Sequence, residues 1–334
     1  MSFRTALLAS ACTAIAAPAY ADVTIYTTRQ AELIQPVMDA FTAETGIAVN
    51  LNFMEEGMVE RLKAEGARSP ADLIMTVDIA NLKQIVDEGL TQPVESDVLT
   101  AAIPETLRSP ENLWFALTTR ARVIYASKDR VADGEVTTYE DLASDKWDGR
   151  ICSRSGVHNY NLALLSAVID HVGEDGARAW AAAVRENLAR KPEGNDRAQV
   201  RAIWAGECDI AVGNTYYMGQ MLADEEQTEW ANAVRIEFPT FENGGTHVNV
   251  SGVAMTTSAP NKDEAIQLME FLVSPTAQSI YAESNYEYPV LEGAALSDIV
   301  ASWGTFTPDT ASLSDLAAHR PMALRIMEEV NFDG

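Results

Sequence analysis

Two adjacent tyrosines, Tyr216 and Tyr217, follow the run Gly213-Asn214-Thr215, which closes an apolar stretch over residues 208–212. A buried strand leading straight into two tyrosines at a helix start is not an ordinary core pattern. Neighbours on a regular helix diverge by about 100°, so both hydroxyls reach one point only from an irregular first turn. Two other predicted strand ends carry polar groups: Tyr26-Thr27-Thr28-Arg29-Gln30, and Arg154-Ser155-Gly156-Val157-His158-Asn159-Tyr160-Asn161. Phenolate oxygen is a hard, anionic ligand suited to a hard, highly charged ion such as Fe³⁺, whereas softer metals prefer thiolate or imidazole. Free tyrosine titrates near pH 10; a trivalent ion at the oxygen displaces that proton, which couples binding to pH. Arginines facing such a point would anchor an anion completing the coordination shell. Packing and hydroxyl hydrogen bonding at a cleft rim is the competing account of Tyr216 and Tyr217.

Enzyme signatures are absent from the chain: no phosphate-binding G-x-x-x-x-G-K-[ST] loop, no G-x-G-x-x-G after the first strand, no H-E-x-x-H and no G-x-S-x-G. The four histidines, His158, His171, His247 and His319, do not pair at metal-ligand spacing. No His or Glu pair is spaced to serve as a general base beside a metal, which argues against a metal-dependent hydrolase.

The first third of the chain alternates strand and helix. Strands are expected over 23–26, 48–53 and 72–77. Leu33, Val37, Met38 and Phe41 repeat at helical spacing before Gly46, and further helices are marked by Met58, Val59 and Leu62 and by residues 82–86. This β-α-β-α-β order implies a parallel sheet with helices on both faces. The run W-F-A-L-T-T-R-A-R-V-I-Y-A at 114–126 reads as a long strand crossing between domains, and residues 247–255 as a strand returning. Between them the alternation repeats, with helices over 162–172, 177–188 and 198–205. Ligands of open α/β sheets bind beyond the carboxyl ends of the strands, so two such domains would face each other across a cleft.

At 334 residues the chain suits two domains. Arg4, the small and apolar run 6–17 and Ala19-Tyr20-Ala21 read as a cleavable signal peptide over 1–21, too short to span a bilayer. Its removal takes one positive charge and no acid, so the formal net charge of −25 becomes −26. Such a surface repels nucleic acid and anionic lipid and favours cations. Of three cysteines, Cys12 lies in the leader. Cys152 and Cys208 form an even pair that suggests a disulfide in an oxidising compartment, with two buried thiols as the alternative.

At these residues the sequence resembles the periplasmic ferric-iron-binding proteins of bacterial ABC transporters, over nearly the whole mature chain. The likeness runs through I-Y-T-T-R-Q at the first strand, S-P-A-D-L-I-M-T-V-D at 69–78, L-T-T-R-A-R-V-I-Y at 117–125, G-E-C-D-I-A-V-G-N-T-Y-Y at 206–217, N-K-D-E-A at 261–265 and A-E-S-N-Y-E-Y-P-V at 282–290. It implies an α/β fold of the type II periplasmic-binding-protein class, each lobe a mixed sheet flanked by helices, with strand crossovers as the hinge. The lobes would comprise residues 22–119 plus 244–294, and 120–243 plus 295–334. It also implies a non-enzymatic monomer that binds Fe³⁺ and passes it to an inner-membrane ABC permease with its ATPase. Tyr216 and Tyr217 match the family's paired tyrosine ligands and Tyr160 its third. Some members add a histidine at the position of Gln30 and a tyrosine at that of Ala31; both are missing here, and Asp78 is a weak stand-in for the carboxylate other members place near Val77. Three tyrosines plus carbonate, another small anion or water would then complete the shell, held by Arg29, Gln30 and Arg122, with Ser155, Asn195 and Asn214 farther out. Arg122 pairing with an acid is the alternative for that residue, and His158 is a further candidate near the ion. A protein of the same fold for a polyamine or thiamine is the rival reading.

Overall fold

The computed structural model describes residues 22–334; the expected leader over 1–21 lies outside the described residues. Ten strands run in chain order: β1 (Val23–Thr27), β2 (Val49–Phe53), β3 (Leu73–Thr76), β4 (Thr91–Gln92), β5 (Phe115–Ser127), β6 (Ile151–Cys152), β7 (Ile210–Asn214), β8 (Val234–Glu237), β9 (Val248–Thr256) and β10 (Tyr288–Pro289). The sheet order is β2-β1-β3-β9-β5-β7-β6, with β4 on β9 and both β8 and β10 on β5.

The N-terminal half builds as its alternation requires. β1 lies parallel to β2 and β3, which needs a crossover after each strand, and helices Ala31–Thr45 and Met58–Glu65 supply them. The first buries Ile34, Val37, Met38 and Phe41 on one face. It stops at Gly46, whose φ of 78° is left-handed backbone that favours glycine. Asp78 then caps the helix Ile79–Asp87 by accepting from the Ala80 amide.

β5 joins the two halves. Phe115–Ala121 pairs antiparallel with β9, and from Arg122 onward the same strand pairs with β7 and β8. β9 starts beside this switch and runs back to β3. Two adjacent strands thus carry the chain between two mixed sheets. Both are buried almost throughout, and they bury polar as well as apolar side chains, among them Arg120, Arg122, Asn249 and Ser251. The helices expected over 162–172 and 177–188 lie within Asn159–Glu186, broken at Gly173 with φ 72°. Cys152 and Cys208 are disulfide-bonded, with Cα atoms 5.8 Å apart. Among the described residues no helix is long and apolar enough to cross a membrane.

Candidate metal centre

β7 ends at Asn214, and the helix Thr215–Ala223 begins at once, so Tyr216 and Tyr217 occupy its first turn. The strand end is gripped from behind. The Tyr125 hydroxyl donates to the Asn214 carbonyl at 2.5 Å. Its ring lies so close to Gly213 that a Cβ there would meet a ring carbon at 2.0 Å, so only glycine fits. In that first turn the Tyr216 and Tyr217 rings lie 4.3 Å apart, tilted by 32°. Tyr160 enters at the start of the helix Asn159–Glu186, where His158 caps by accepting from the Tyr160 amide. The Tyr216 hydroxyl donates to the Tyr160 hydroxyl across 3.1 Å.

These three rings line one cleft of about 520 Å³ between the two halves of the molecule. Thr28, Arg29, Gln30 and Val77 face them from the N-terminal half, Arg120 from β5, and Asn195 and Arg197 from the far side. Burial pushes the Tyr160 and Tyr216 phenols up; Tyr160 and Tyr217 push Tyr216 further, and Tyr217 pushes Tyr160 further while the hydrogen bond from Tyr216 eases it. Both are therefore neutral in the empty cleft at ordinary pH. Guanidiniums, with five N–H donors each, can hold an anion, and phenolic oxygens can ligate a hard cation once deprotonated.

The arginines divide by whether a carboxylate neutralises them. Arg29 is buried and its Nη2 donates to both oxygens of Glu287 at 2.7 and 3.0 Å, and to Ser251 at 2.5 Å. Arg122 is held through both terminal nitrogens: its Nη1 donates to Asp196 at 2.8 Å and to Asn214 Oδ1 at 3.1 Å, and its Nη2 to Asn161 at 2.6 Å, while its Nε, like that of Arg120, is unpartnered. It pairs with an acid behind the tyrosines and does not line the main cleft. Arg120, two residues earlier on the same strand face, does line it. Arg120 is 2% exposed and donates to Ser251 at 2.9 Å, but its Nε is unpartnered. Among the described residues it has no carboxylate partner.

The remaining expected residues fall at varying distances from the rings. Gln30 and Asn195 line the cleft, Asn195 also capping the helix Asp196–Ala205. Asn214 sits behind the tyrosines, its side chain taken by Arg122 rather than by the helix start. Ser155 is drawn away to the C-terminus, where its hydroxyl donates to Asp333 at 2.6 Å. Asp78 is also turned away, accepting from Asn249 at 2.8 Å as well as from its own helix. His158 packs edge-on against Tyr160 at 4.6 Å and faces an adjoining cavity with Glu55 and Glu56. Sequence reasoning missed Arg120, Arg154, Asp196 and Arg197. Arg154 lies 5.0 Å from the Tyr160 ring centroid and Arg197 5.1 Å from that of Tyr217. The R-A-R alternation at 120–122 was the available signal for Arg120. Among the described residues no group of three or more His, Cys, Asp or Glu side chains could hold a metal; Glu32, Asp224 and Glu287 line the cleft singly, with Glu287 taken by Arg29.

Two α/β halves joined by paired strands, with a polar cleft between them, define a type II periplasmic binding protein. The chain belongs to the bacterial extracellular solute-binding protein family, whose sequence pattern matches residues 68–307. It is 45% identical to iron uptake protein A1 of Synechocystis over 314 residues, covering 93% of this chain and 87% of that protein. Its fold superposes on apo ferric ion-binding protein A of Pasteurella haemolytica with a TM-score of 0.90 and 47% identity, covering 94% and 98% of the two chains. A Trichodesmium protein, IdiA or FutA, solved with iron and citrate, matches with a TM-score of 0.89 and 41% identity over 93% and 99%. This is a family of solute-binding proteins and not of enzymes.

Proposed function

We propose that this protein binds Fe³⁺ in the interlobe cleft through Tyr160, Tyr216 and Tyr217 and delivers it to an ABC permease in the inner membrane. The observation that carries the reading is the meeting of Tyr160 and Tyr216 hydroxyls, 3.1 Å apart, with the Tyr217 ring stacked alongside. Three phenols gathered from two elements can supply one face of a coordination shell for a hard cation. The iron-binding names of the relatives support the same ligand.

Of the carboxylates lining the opposite face, Glu287 is taken by Arg29 and Glu32 is exposed, while Gln30 is neutral and Arg29 and Arg120 are cations. A small anion such as carbonate, held by Arg120 with help from Arg29 and Gln30, completes the shell and offsets the ion's charge. This role passes from Arg122, the expected anchor, to Arg120, because Asp196 already neutralises Arg122. The lobes comprise residues 22–119 with 244–294, and 120–243 with 295–334, the leader directs the chain to the periplasm, and the protein works as a monomer.

Titration of the purified protein with ferric citrate, with and without bicarbonate, tests the reading. Tyrosinate–Fe³⁺ charge transfer gives a visible band that grows to saturation and strengthens with the anion. A chain that stays colourless while binding an organic cation refutes it.

A further inference from the structure

The three tyrosines come from two separate elements, and one buried carboxylate touches the supports of both. Asp196 is 0% exposed and opens the helix Asp196–Ala205, where a negative charge is favoured by the helix dipole. Its Oδ2 accepts from Arg122 Nη1 and from the Asn214 backbone amide, each at 2.8 Å. Its Oδ1 accepts from Arg154 Nη1 at 2.9 Å.

One route leads to Tyr160. The guanidiniums that Asp196 holds lie against the Tyr160 ring, Arg154 at 5.0 Å and Arg122 at 5.9 Å from its centroid. Arg122 also holds Asn161, the residue after Tyr160. The Asn161 amide in turn donates to Ser153 and to the carbonyls of Arg154 and Ser155, all at 3.1 Å. That pins the segment from which Tyr160 emerges. The other route leads to Tyr216 and Tyr217. The Asn214 amide fixes the last residue of β7, and the helix start that bears both tyrosines follows immediately. No side-chain cap orders that start from within, so its direction depends on how Asn214 is held.

We infer that Asp196 is the positioning residue for iron, setting Tyr160 and the Tyr216–Tyr217 pair in register with one another through Arg154, Arg122 and the Asn214 amide. The inference rests on the reading of these tyrosines as the ligands. The chemistry demands a carboxylate. Two oxygens accept three charged or backbone donors, and neither can become a donor. An asparagine puts an NH₂ against either Arg154 or the Arg122–Asn214 pair, so one route is released whichever way it turns.

The test compares Asp196→Asn and Arg154→Met with the parent by ferric titration and by thermal unfolding of the iron-free proteins. Outer supports of a metal site are worth roughly 10–100-fold in affinity. Asp196→Asn should lose about that much and shift the charge-transfer band, because the phenolate geometry changes. Arg154→Met should shift the band and cost less, and the double variant should lose no more than Asp196→Asn alone, since both act through one network. A folded Asp196→Asn protein with a lower melting temperature but an unmoved band and affinity overturns the inference and leaves Asp196 a stabilising residue only. If Asp196→Asn does not fold, Arg154→Met decides: a shifted band supports the inference and an unchanged one overturns it. A parent protein that never colours overturns the iron reading, and this inference with it.

Discussion

The Tyr216 hydroxyl donates to the Tyr160 hydroxyl across 3.1 Å, although 56 positions separate the two residues. Burial raises both phenols, and Tyr160 raises Tyr216 further, although the hydrogen bond from Tyr216 eases Tyr160, so both keep their protons in the iron-free protein. Ferric iron must expel one proton per ligating phenol. Tyr216→Phe keeps the ring and removes only the oxygen. The iron-free protein should lose no more than about 1 kcal/mol, the scale of one hydrogen bond. Iron affinity should drop by more than about a hundredfold, since even outer supports are worth roughly 10–100-fold. Proton release on loading, followed in weakly buffered solution, should fall by one relative to the parent. Unchanged affinity and proton release in this variant would place the ligand set elsewhere.

Arg120 and Arg122 share one face of β5 but differ in what they meet. Asp196 holds Arg122, while Arg120 has Ser251 and the cleft. Arg120→Gln should therefore abolish the enhancement of iron binding by bicarbonate and leave a weaker, anion-independent colour. Arg122→Gln should leave the bicarbonate response in place and act on stability, because it strips a donor from a buried carboxylate, at a cost of roughly 3–5 kcal/mol. A bicarbonate response that survives Arg120→Gln and vanishes in Arg122→Gln would reverse these assignments.

The Cys152–Cys208 bond ties β6 to the residue two positions before β7, and these strands lead into the segments bearing Tyr160 and Tyr216. It closes a chain separation of 56 residues, worth about 4 kcal/mol in the loop-entropy account. Denaturant unfolding of the Cys152→Ser/Cys208→Ser protein should show a loss of that order. Ladder pairing of Ile151 and Cys152 with β7 persists without the bond, so iron should still colour the folded protein. A midpoint equal to the parent's would show that the bond restrains little in the unfolded chain.

Local patterns were legible and distant pairings were not. The parallel N-terminal half follows from hydrophobic periods of 2 and 3.6 with glycine stops. Tyr216 and Tyr217 stood out because a buried strand runs straight into them. Arg29 and Gln30 stood out because they end β1. Choosing between Arg120 and Arg122 was beyond the pattern. Both alternate onto one face, and the acid that neutralises one of them lies 74 positions away. Glu287, which holds Arg29, is 258 positions away. Such partners are set by how the lobes pack, and no local propensity encodes them. Ser155 shows the converse: its place in a strand-end loop suggested the cleft, but Asp333 near the C-terminus takes its hydroxyl.

His247 precedes β9, fully buried behind the cleft, with its Nδ1 unpartnered. Burial, with help from Arg122, Arg120 and His171, pulls its pKa down to about 3, although Asp309 pulls the other way. In the unfolded chain it titrates near 6.5. Between these values the unfolded chain binds a proton that the folded protein refuses. This contribution to stability is therefore complete above pH 6.5 and is lost as pH falls toward 3, with a slope approaching about 1.4 kcal/mol per pH unit. The interval from pH 6.5 to about 5 lies above most carboxylate titrations, so the histidine contribution separates there. Unfolding free energies of the iron-free protein should decline across that interval, and His247→Gln should flatten the decline, so that it lowers stability at pH 8 by more than at pH 5. An identical slope in the variant would mean that another group, and not His247, excludes the proton.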